Sequence, residues 1–274
     1  SLRTIAMRLQ DKITFITSAE NPCAGALAAG FAREGAHCVV LDGELQRAER
    51  LATDVRSLGR RALALQCDVT RKTQVEGAVR SAVAEFGRID VLLNCSALNY
   101  ESDFLSLTEN TFNECIERGP KAYFLACQAV GRQMTEQRSG KIINLSSVDA
   151  RIGSGESTAN SAAYSSIDSM TRAIAQALAF YGVNVNSLVA GPMDYLSLTE
   201  EEAGERLRRI PLGRLSKPED LVGAAVFLAT DDSKFIAGES LVVDAGYANA
   251  AVTEDGFRPA WGRTWGRFEP SRDK

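Results

Sequence analysis

Histidine, long apolar runs and an excess of positive charge are all scarce in this chain of 274 residues. The single histidine, His37, excludes a metal site built from several histidines, and no metal is expected. Apolar runs stay far below the roughly 18 residues that a membrane-spanning helix needs, so no membrane association is expected. The 31 basic side chains are outnumbered by 35 acidic ones, for a net charge of −4, which argues against nucleic acid as a partner.

The chain also lacks the features that mark secreted proteins. Its opening residues contain no uninterrupted apolar core of the signal-peptide kind, and a cytoplasmic location is expected. Six cysteines are scattered without close pairs at metal-ligand spacing, so we expect reduced thiols buried as small apolar side chains. Disulfide pairing is the alternative, and only the expected compartment argues against it. The cysteines are Cys23, Cys38, Cys67, Cys95, Cys115 and Cys127.

The apolar residues that are present follow two alternating periodicities. Short β-rich runs are separated by segments of helical spacing, such as 25–32 and 45–58. Seven strands joined by helices predict crossover connections and therefore a mostly parallel sheet covered on both faces. The expected fold is α/β, a single-domain Rossmann-type doubly wound sheet over residues 1–247, followed by a tail at 248–274. The predicted strands are 13–17, 38–41, 62–65, 91–93, 141–145, 183–189 and 240–243.

The turn after the first predicted strand, residues 17–25, contains small residues but not the spaced glycines of a dinucleotide-binding loop. By itself it is equally consistent with an ordinary strand–turn–helix. Asp42 ends the second strand, where a carboxylate can accept both ribose hydroxyls of an adenosine, so it favours NAD(H) over the phosphorylated cofactor. Arg47 nearby weakens that preference. Asp68 follows the third strand, from which it can reach an adenine amino group, and Asn94 follows the fourth.

Four longer motifs are more specific than this loop. They are Cys67-Asp68-Val69, the stretch 140–147 that ends in Ser146-Ser147, the pair 210–214 and 217–220, and the segments 236–239 and 243–246. With them the chain resembles the short-chain dehydrogenase/reductase family from Leu9 to Tyr247. The resemblance implies a nicotinamide cofactor, NADH or NADPH, and a homo-oligomer, often a tetramer. It places cofactor contacts at Ser18, Cys23, Asp42, Asp68, Val69, Asn94, Ser96, Ala97, Gly191, Pro192 and Met193.

The chain departs from this family where the family's chemistry is carried. The resemblance implies a catalytic serine at Ser147 and a tyrosine at Tyr164, which here lacks the lysine four residues later. Asp168 stands in that place, and Gly119 replaces the family's asparagine, with Arg118 beside it. A neighbouring ammonium stabilises tyrosinate and a neighbouring carboxylate destabilises it, so ordinary alcohol oxidation is expected to fail.

Three interpretations of this departure remain open. The protein is a catalytically degenerate scaffold, or a carbonyl reductase with a rearranged proton relay, or a reductase of positively charged C=N acceptors. The third follows because a carboxylate in place of an ammonium stabilises a cation instead of an oxyanion. Asp168 or Asp149, oriented by Arg118, would then favour an iminium.

Each acidic residue also has a structural explanation. Asp168 would lie on a solvent-facing helix beside Arg172 at i+4, and Asp149 would be a turn residue. We nevertheless expect an NAD(P)H-dependent reductase of an imine or iminium intermediate in alkaloid or other secondary metabolism, with a small hydrophobic organic substrate.

The tail carries a narrower resemblance. Pro259-Ala260-Trp261-Gly262-Arg263, together with the missing lysine, resembles fungal indole-alkaloid reductases of the same family that are also Diels–Alderases. The resemblance implies an intramolecular cyclisation after the reduction. Trp261 and Trp265 would supply an aromatic wall to the pocket, or else anchor a subunit interface.

Overall fold

The computed structural model describes residues 7–96, 98, 100–153, 155–194, 204 and 207–249, with the backbone alone at 252–253 and 256–257. Within these residues, strands and helices alternate as the periodicity predicts. The strands are β1 (Ile13–Ile16), β2 (His37–Asp42), β3 (Ala62–Gln66), β4 (Val91–Asn94), β5 (Gly140–Ser147), β6 (Val183–Ala190), β7 (Ser240–Val243), β8 (Val252–Thr253) and β9 (Gly256–Phe257). The α-helices are α1 (Pro22–Arg33), α2 (Leu45–Ser57), α3 (Lys72–Phe86), α4 (Glu109–Ile116), α5 (Ala122–Gln137), α6 (Thr158–Ala179) and α7 (Val222–Ala229).

Seven of the strands form one parallel sheet, in the order β3-β2-β1-β4-β5-β6-β7. All seven predicted strands are confirmed, and so is the single-domain α/β fold. The short strands β8 and β9 pair with each other and lie outside this sheet. Trp261 and Trp265 of the tail lie outside the described residues.

Both faces of the sheet are covered because successive strand residues point into different layers. Ile16 on β1 belongs to a core that includes residues of α1, α2 and α7. Its neighbour Phe15 points the other way, into a core with residues of α3, α5 and α6. The four residues of β1 are all buried, including Thr14, which explains why this strand shows no alternation of buried and exposed residues.

The strand order places the functional crevice. The chain leaves β1 toward β2 on one side and later returns to form β4 on the other, so β1 and β4 are neighbours at the topological switch point. Ligands of open α/β sheets bind outside the carboxyl ends of the strands at this point. The segments that follow β1 and β4 therefore form the two walls of the expected site.

The buried cysteine thiols are expected to be unreactive. All six cysteines are buried free thiols, as the sequence predicts, and burial raises the pKa of Cys38 to about 12. Thiolates are therefore disfavoured in these cores. None of the described helices combines the length and apolarity needed to cross a bilayer. Across the described ranges, no three His, Cys, Asp or Glu side chains converge as metal ligands would.

Candidate active site

The loop between β1 and α1 is fixed by its own side chains instead of by glycines. Ser18 adopts the left-handed conformation at φ 55°, which glycine normally provides. Pro22 opens α1 and has no backbone N–H. The Asn21 side chain accepts the N–H of Cys23 at 2.8 Å and donates to the Ser96 carbonyl at 2.9 Å. The first turn of α1 therefore offers a phosphate fewer free donors than a glycine-rich loop would.

An ion pair joins the two walls of the crevice. The Arg118 guanidinium, which follows α4 in a π-helical turn at Glu117–Lys121, donates to the Glu20 carboxylate in the β1–α1 loop. Glu114 lies 4.0 Å from the same guanidinium. Burial would lower the pKa of Arg118, but the Glu20 carboxylate and the Tyr100 side chain together outweigh burial, and the pKa is raised. Arg118 was predicted to orient a catalytic aspartate; its ion pairs among the described residues are with Glu20 and Glu114.

Asp42 is fully engaged by the protein. Its carboxylate accepts the backbone N–H groups of Glu20 and Glu44, both at 2.9 Å, and the Nε of Arg47 at 2.8 Å. Only 2 % of the residue is exposed. The sequence predicts that this carboxylate selects NAD(H) by accepting ribose hydroxyls. Three donors therefore already occupy this carboxylate in the free protein, and the preference for NAD(H) stays a prediction.

The adenine side of the crevice keeps an available carboxylate. The side chain of Asp68 is 45 % exposed, and one of its oxygens accepts from the backbone and hydroxyl of Thr70 at 2.9 and 2.6 Å. Burial would raise its pKa, but these hydrogen bonds outweigh burial and lower the pKa. Val69 packs beside the core on the α3 face. Both residues remain candidate cofactor contacts.

The ends of β4 and β5 are held by buried polar groups. Asn94 donates to Asn144 at 2.9 Å, and Ser96 Oγ donates to the backbone carbonyl of Arg118 at 2.8 Å. The Tyr123 hydroxyl accepts the N–H of Ser96 at 3.0 Å and donates to the Leu145 carbonyl at 2.8 Å. These bonds fix the crevice floor. The neighbouring candidate Ala97 lies outside the described residues.

The segment after β6 is also held by backbone hydrogen bonds. Gly191 donates to the Val243 carbonyl at 3.0 Å, and Pro192 accepts the N–H of Ser216 at 2.9 Å. Met193 forms a β-bridge with Ser216. A Cβ at position 191 would lie 2.7 Å from the Asp244 Cα, so this close approach requires glycine.

The predicted catalytic residues lie at the carboxyl end of β5 and on α6. Ser147 ends β5, and its Oγ accepts the N–H of Asp149 at 3.2 Å. Tyr164 and Asp168 are one helical turn apart on α6, and both are buried, at 8 % and 7 % exposed. The solvent-facing explanation of Asp168 is therefore wrong, and no ion pair with Arg172 forms.

Asp168 is the most unusual group of the site. Its Oδ1 is buried, and no described residue forms a hydrogen bond with it. A buried carboxylate oxygen without a donor costs free energy unless a ligand supplies the missing partner. Buried polar atoms without a partner are few in folded proteins, and each calls for an explanation. Among the described residues, the hydroxyls of Thr14 and Ser146 share this state, and Asp168 is the one carboxyl group of the three.

A leucine occupies the place where the family's asparagine would project. Gly119 lies at a kink inside the π-helical turn, at φ −91° and ψ −106°. A Cβ there would lie 2.8 Å from the Leu98 Cδ1. Nothing in the sequence marked Leu98 or Tyr123 as part of the site, because both are ordinary core residues by pattern.

A nicotinamide dinucleotide fits this set of donors. The crevice lies at the switch point, Asp68 is available on the adenine side, and two guanidiniums, Arg47 and Arg118, stand at the loop where a pyrophosphate would lie. Arginine forks suit phosphate oxygens well. The site therefore would hold phosphate by arginine side chains more than by the backbone of a glycine turn.

Comparison with known proteins agrees with this assignment. The family model described as enoyl-(acyl carrier protein) reductase matches residues 19–248. The short-chain reductase protein NovJ of Streptomyces niveus is 34 % identical, with 86 % of this chain and 94 % of NovJ covered. The 3-oxoacyl-[acyl-carrier-protein] reductase FabG of Thermotoga maritima is 31 % identical, with 88 % and 99 % covered.

Solved structures match equally well. A gluconate 5-dehydrogenase from Burkholderia cenocepacia, in complex with NADP and tartrate, superposes with a TM-score of 0.86 at 28 % identity, covering 90 % of this chain and 98 % of that one. An NAD+-bound xylitol dehydrogenase gives 0.83 at 27 % identity, covering 87 % and 100 %. These relatives are NAD(P)-dependent oxidoreductases, and NADH or NADPH is the cofactor consistent with them. The chain belongs to the short-chain dehydrogenase/reductase family.

Proposed function

We propose that this protein is an NADH- or NADPH-dependent reductase of an imine or iminium carbon–nitrogen double bond. The observation that carries the proposal is the buried Asp168 carboxylate, at the position of the family's lysine, one oxygen of which has no hydrogen-bond partner in the described part of the chain. A positively charged acceptor would supply the opposite charge that pairs with this carboxylate. The alkaloid or other secondary-metabolite substrate class comes from the sequence resemblance.

The charge change at the acceptor explains why the lysine is dispensable. When bound, the reduced nicotinamide supplies a hydride. The acceptor carbon forms a C–H bond while the C=N π electrons move to nitrogen, which becomes a neutral amine, so no proton has to be delivered to an oxygen. Asp168 stabilises the cation before transfer and orients it. Ser147 and Tyr164 would position the acceptor.

The wild-type protein is expected to prefer a charged acceptor over a neutral one of similar size. N-methyl-3,4-dihydroisoquinolinium carries a permanent charge, and 2-tetralone is a neutral bicyclic ketone. We expect kcat/KM to be at least about 100-fold higher for the iminium, the effect of one preorganised electrostatic group. Nicotinamide oxidation followed at 340 nm measures both. Faster turnover of the ketone would instead identify a carbonyl reductase with a rearranged relay.

A specific observation favours a second candidate, a cofactor-free scaffold. The β1–α1 loop lacks spaced glycines, opens its helix with Pro22 and carries Glu20 where a phosphate would approach. Titration with NADH and NADPH, followed by the nicotinamide fluorescence, separates the two candidates. We expect NADH and NADPH both to bind. Absence of binding by either cofactor would favour the scaffold. Tighter binding of NADH would confirm the preference predicted from Asp42, and tighter binding of NADPH would show that this preference is wrong.

Two further parts of the proposal rest on resemblance. The family's usual assembly is a homo-oligomer, and we propose a dimer or tetramer here. The element at 259–263 resembles the fungal Diels–Alderases, and we propose that an intramolecular cyclisation follows the reduction. Cyclisation would require only that the pocket hold diene and dienophile together. The element itself lies outside the described residues.

A further inference from the structure

The charged side chains around the phosphate end of the crevice form a closed cluster. Arg118 reaches from the β4 side to Glu20 on the β1 side, and Arg47 lies 3.7 Å from the other oxygen of Glu20. Arg47 also lies 3.2 Å from Glu44. Every guanidinium that a pyrophosphate would use therefore already has a carboxylate partner.

The cluster bridges the crevice because its two ends are anchored on different walls. The Arg118 backbone carbonyl is held by Ser96 Oγ at 2.8 Å, at the end of β4. The Glu20 backbone N–H is held by Asp42 at 2.9 Å, at the end of β2. The backbones are fixed, whereas the side chains of Glu20 and Arg118 are 26 % and 42 % exposed. Ion pairs this exposed contribute little net stability, so their partners can be exchanged.

The loop offers phosphate little else. Pro22 has no N–H, and the N–H of Cys23 already donates to Asn21 at 2.8 Å. A planar guanidinium can form two parallel hydrogen bonds to phosphate oxygens, as it does to a carboxylate. Glu20, by contrast, would repel a pyrophosphate and compete with it for the same donor.

We propose that Arg118 is a cofactor-binding residue that exchanges the Glu20 carboxylate for the pyrophosphate, and that the Glu20–Arg118 pair spans the crevice in the free protein. This inference rests on the part of the proposed function in which a nicotinamide dinucleotide binds, and it does not depend on the substrate. Glu20 then sets the affinity by competing for Arg118.

The test measures dissociation constants of NADH, ADP and adenosine by calorimetry in Glu20→Gln and Arg118→Met. A charge-assisted hydrogen bond corresponds to roughly a tenfold change in affinity or more. We expect Glu20→Gln to bind NADH and ADP about tenfold more tightly, and Arg118→Met to bind them about tenfold more weakly. Adenosine, which has no phosphate, is expected to bind all variants within about twofold, because only the phosphate contact changes.

A matched control is available on α2. Arg56 and Glu49 form an ion pair at 3.1 Å with side chains 43 % and 49 % exposed, away from the crevice. Arg56→Met and Glu49→Gln change the net charge in the same way and are expected to leave every dissociation constant unchanged. Thermal unfolding of each variant confirms that it is folded before it is titrated.

The possible outcomes separate this inference from the proposed function. Tighter binding by both crevice variants would mean that the pair only blocks the site, and the role of Arg118 would be wrong. NADH binding that neither variant changes would overturn the inference and leave the proposed function standing. Failure of NADH and ADP to bind the wild type and Glu20→Gln alike would overturn both.

Discussion

Replacing Asp168 by asparagine is expected to lower kcat/KM for N-methyl-3,4-dihydroisoquinolinium by about 100-fold, the usual effect of removing one electrostatic stabiliser. Asparagine preserves the shape of the side chain and removes its charge, so only the attraction for the cation is lost. The 2-tetralone rate is expected to stay within about threefold, because a neutral acceptor gains nothing from the carboxylate. Steady-state kinetics with both acceptors measure this split.

Stability provides a second readout for the same variant. The Asp168 Oδ1 is buried and accepts no hydrogen bond from any residue that the structure describes, so a charge there opposes folding in the free protein. We expect Asp168→Asn to unfold at the same or a higher urea concentration than the wild type. A lower midpoint with equal loss of both activities would mean that Asp168 is structural and has no role toward the acceptor.

Two comparisons locate the effect in the site. Asp54→Asn removes the same charge from an exposed position on α2 and is expected to leave the kinetics unchanged. Asp149→Asn alters the half-buried residue whose N–H bonds Ser147. Because Asp149 is less buried than Asp168, we expect the smaller loss there. The opposite order would transfer the proposed role to Asp149.

The parts of the molecule that the sequence predicts are those set by local periodicity. The seven strands and the position of Asp168 one turn after Tyr164 follow from spacing within single elements, and the parallel direction of the strands follows from the helices between them. The left-handed conformation of Ser18 could not be predicted from the sequence, because serine rarely adopts that conformation and gives no signal comparable to glycine.

Contacts between elements distant in the chain were not predictable. Asp42 was identified correctly as the carboxylate that ends β2, but its engagement by Glu20 and Arg47 depends on how the β1–α1 loop packs against it. Arg118 and Glu20 are 98 residues apart in sequence. They pair because β1 and β4 are neighbours at the switch point. The spacing of the sequence locates the ends of these strands only to within a few residues.

The same limit affects any attempt to restore the family's usual chemistry. The φ of Gly119 is −91°, so its backbone lies outside the left-handed region that favours glycine. The obstacle is Leu98, whose Cδ1 would lie 2.8 Å and Cδ2 3.6 Å from the new Cβ. Sequence comparison alone would suggest two substitutions, Asp168→Lys and Gly119→Asn, whereas the structure requires a third.

The triple variant Asp168→Lys, Gly119→Asn, Leu98→Val is therefore expected to gain oxidation of a secondary alcohol with NAD+, a reaction that the wild type is expected to lack. Valine keeps a branched apolar side chain but removes the two δ carbons, at a cost of about 1 kcal/mol in stability. The lysine stabilises tyrosinate at Tyr164, so proton abstraction becomes possible. General base catalysis of this kind contributes about 10²–10⁴-fold, and we expect that gain over Asp168→Lys alone.

The gain in alcohol oxidation should depend on Tyr164, and it should be accompanied by slower reduction of the charged acceptor. Adding Tyr164→Phe to the triple variant removes the base and is expected to abolish alcohol oxidation, measured as NADH formation at 340 nm. In the triple variant itself, the lysine ammonium faces the acceptor. The rate of reduction of N-methyl-3,4-dihydroisoquinolinium is therefore expected to fall below the rate of Asp168→Asn. A folded triple variant that oxidises no alcohol would show that α6 no longer presents Tyr164 to the substrate. If it still reduced the iminium, the sign of the charge at position 168 would not select the acceptor.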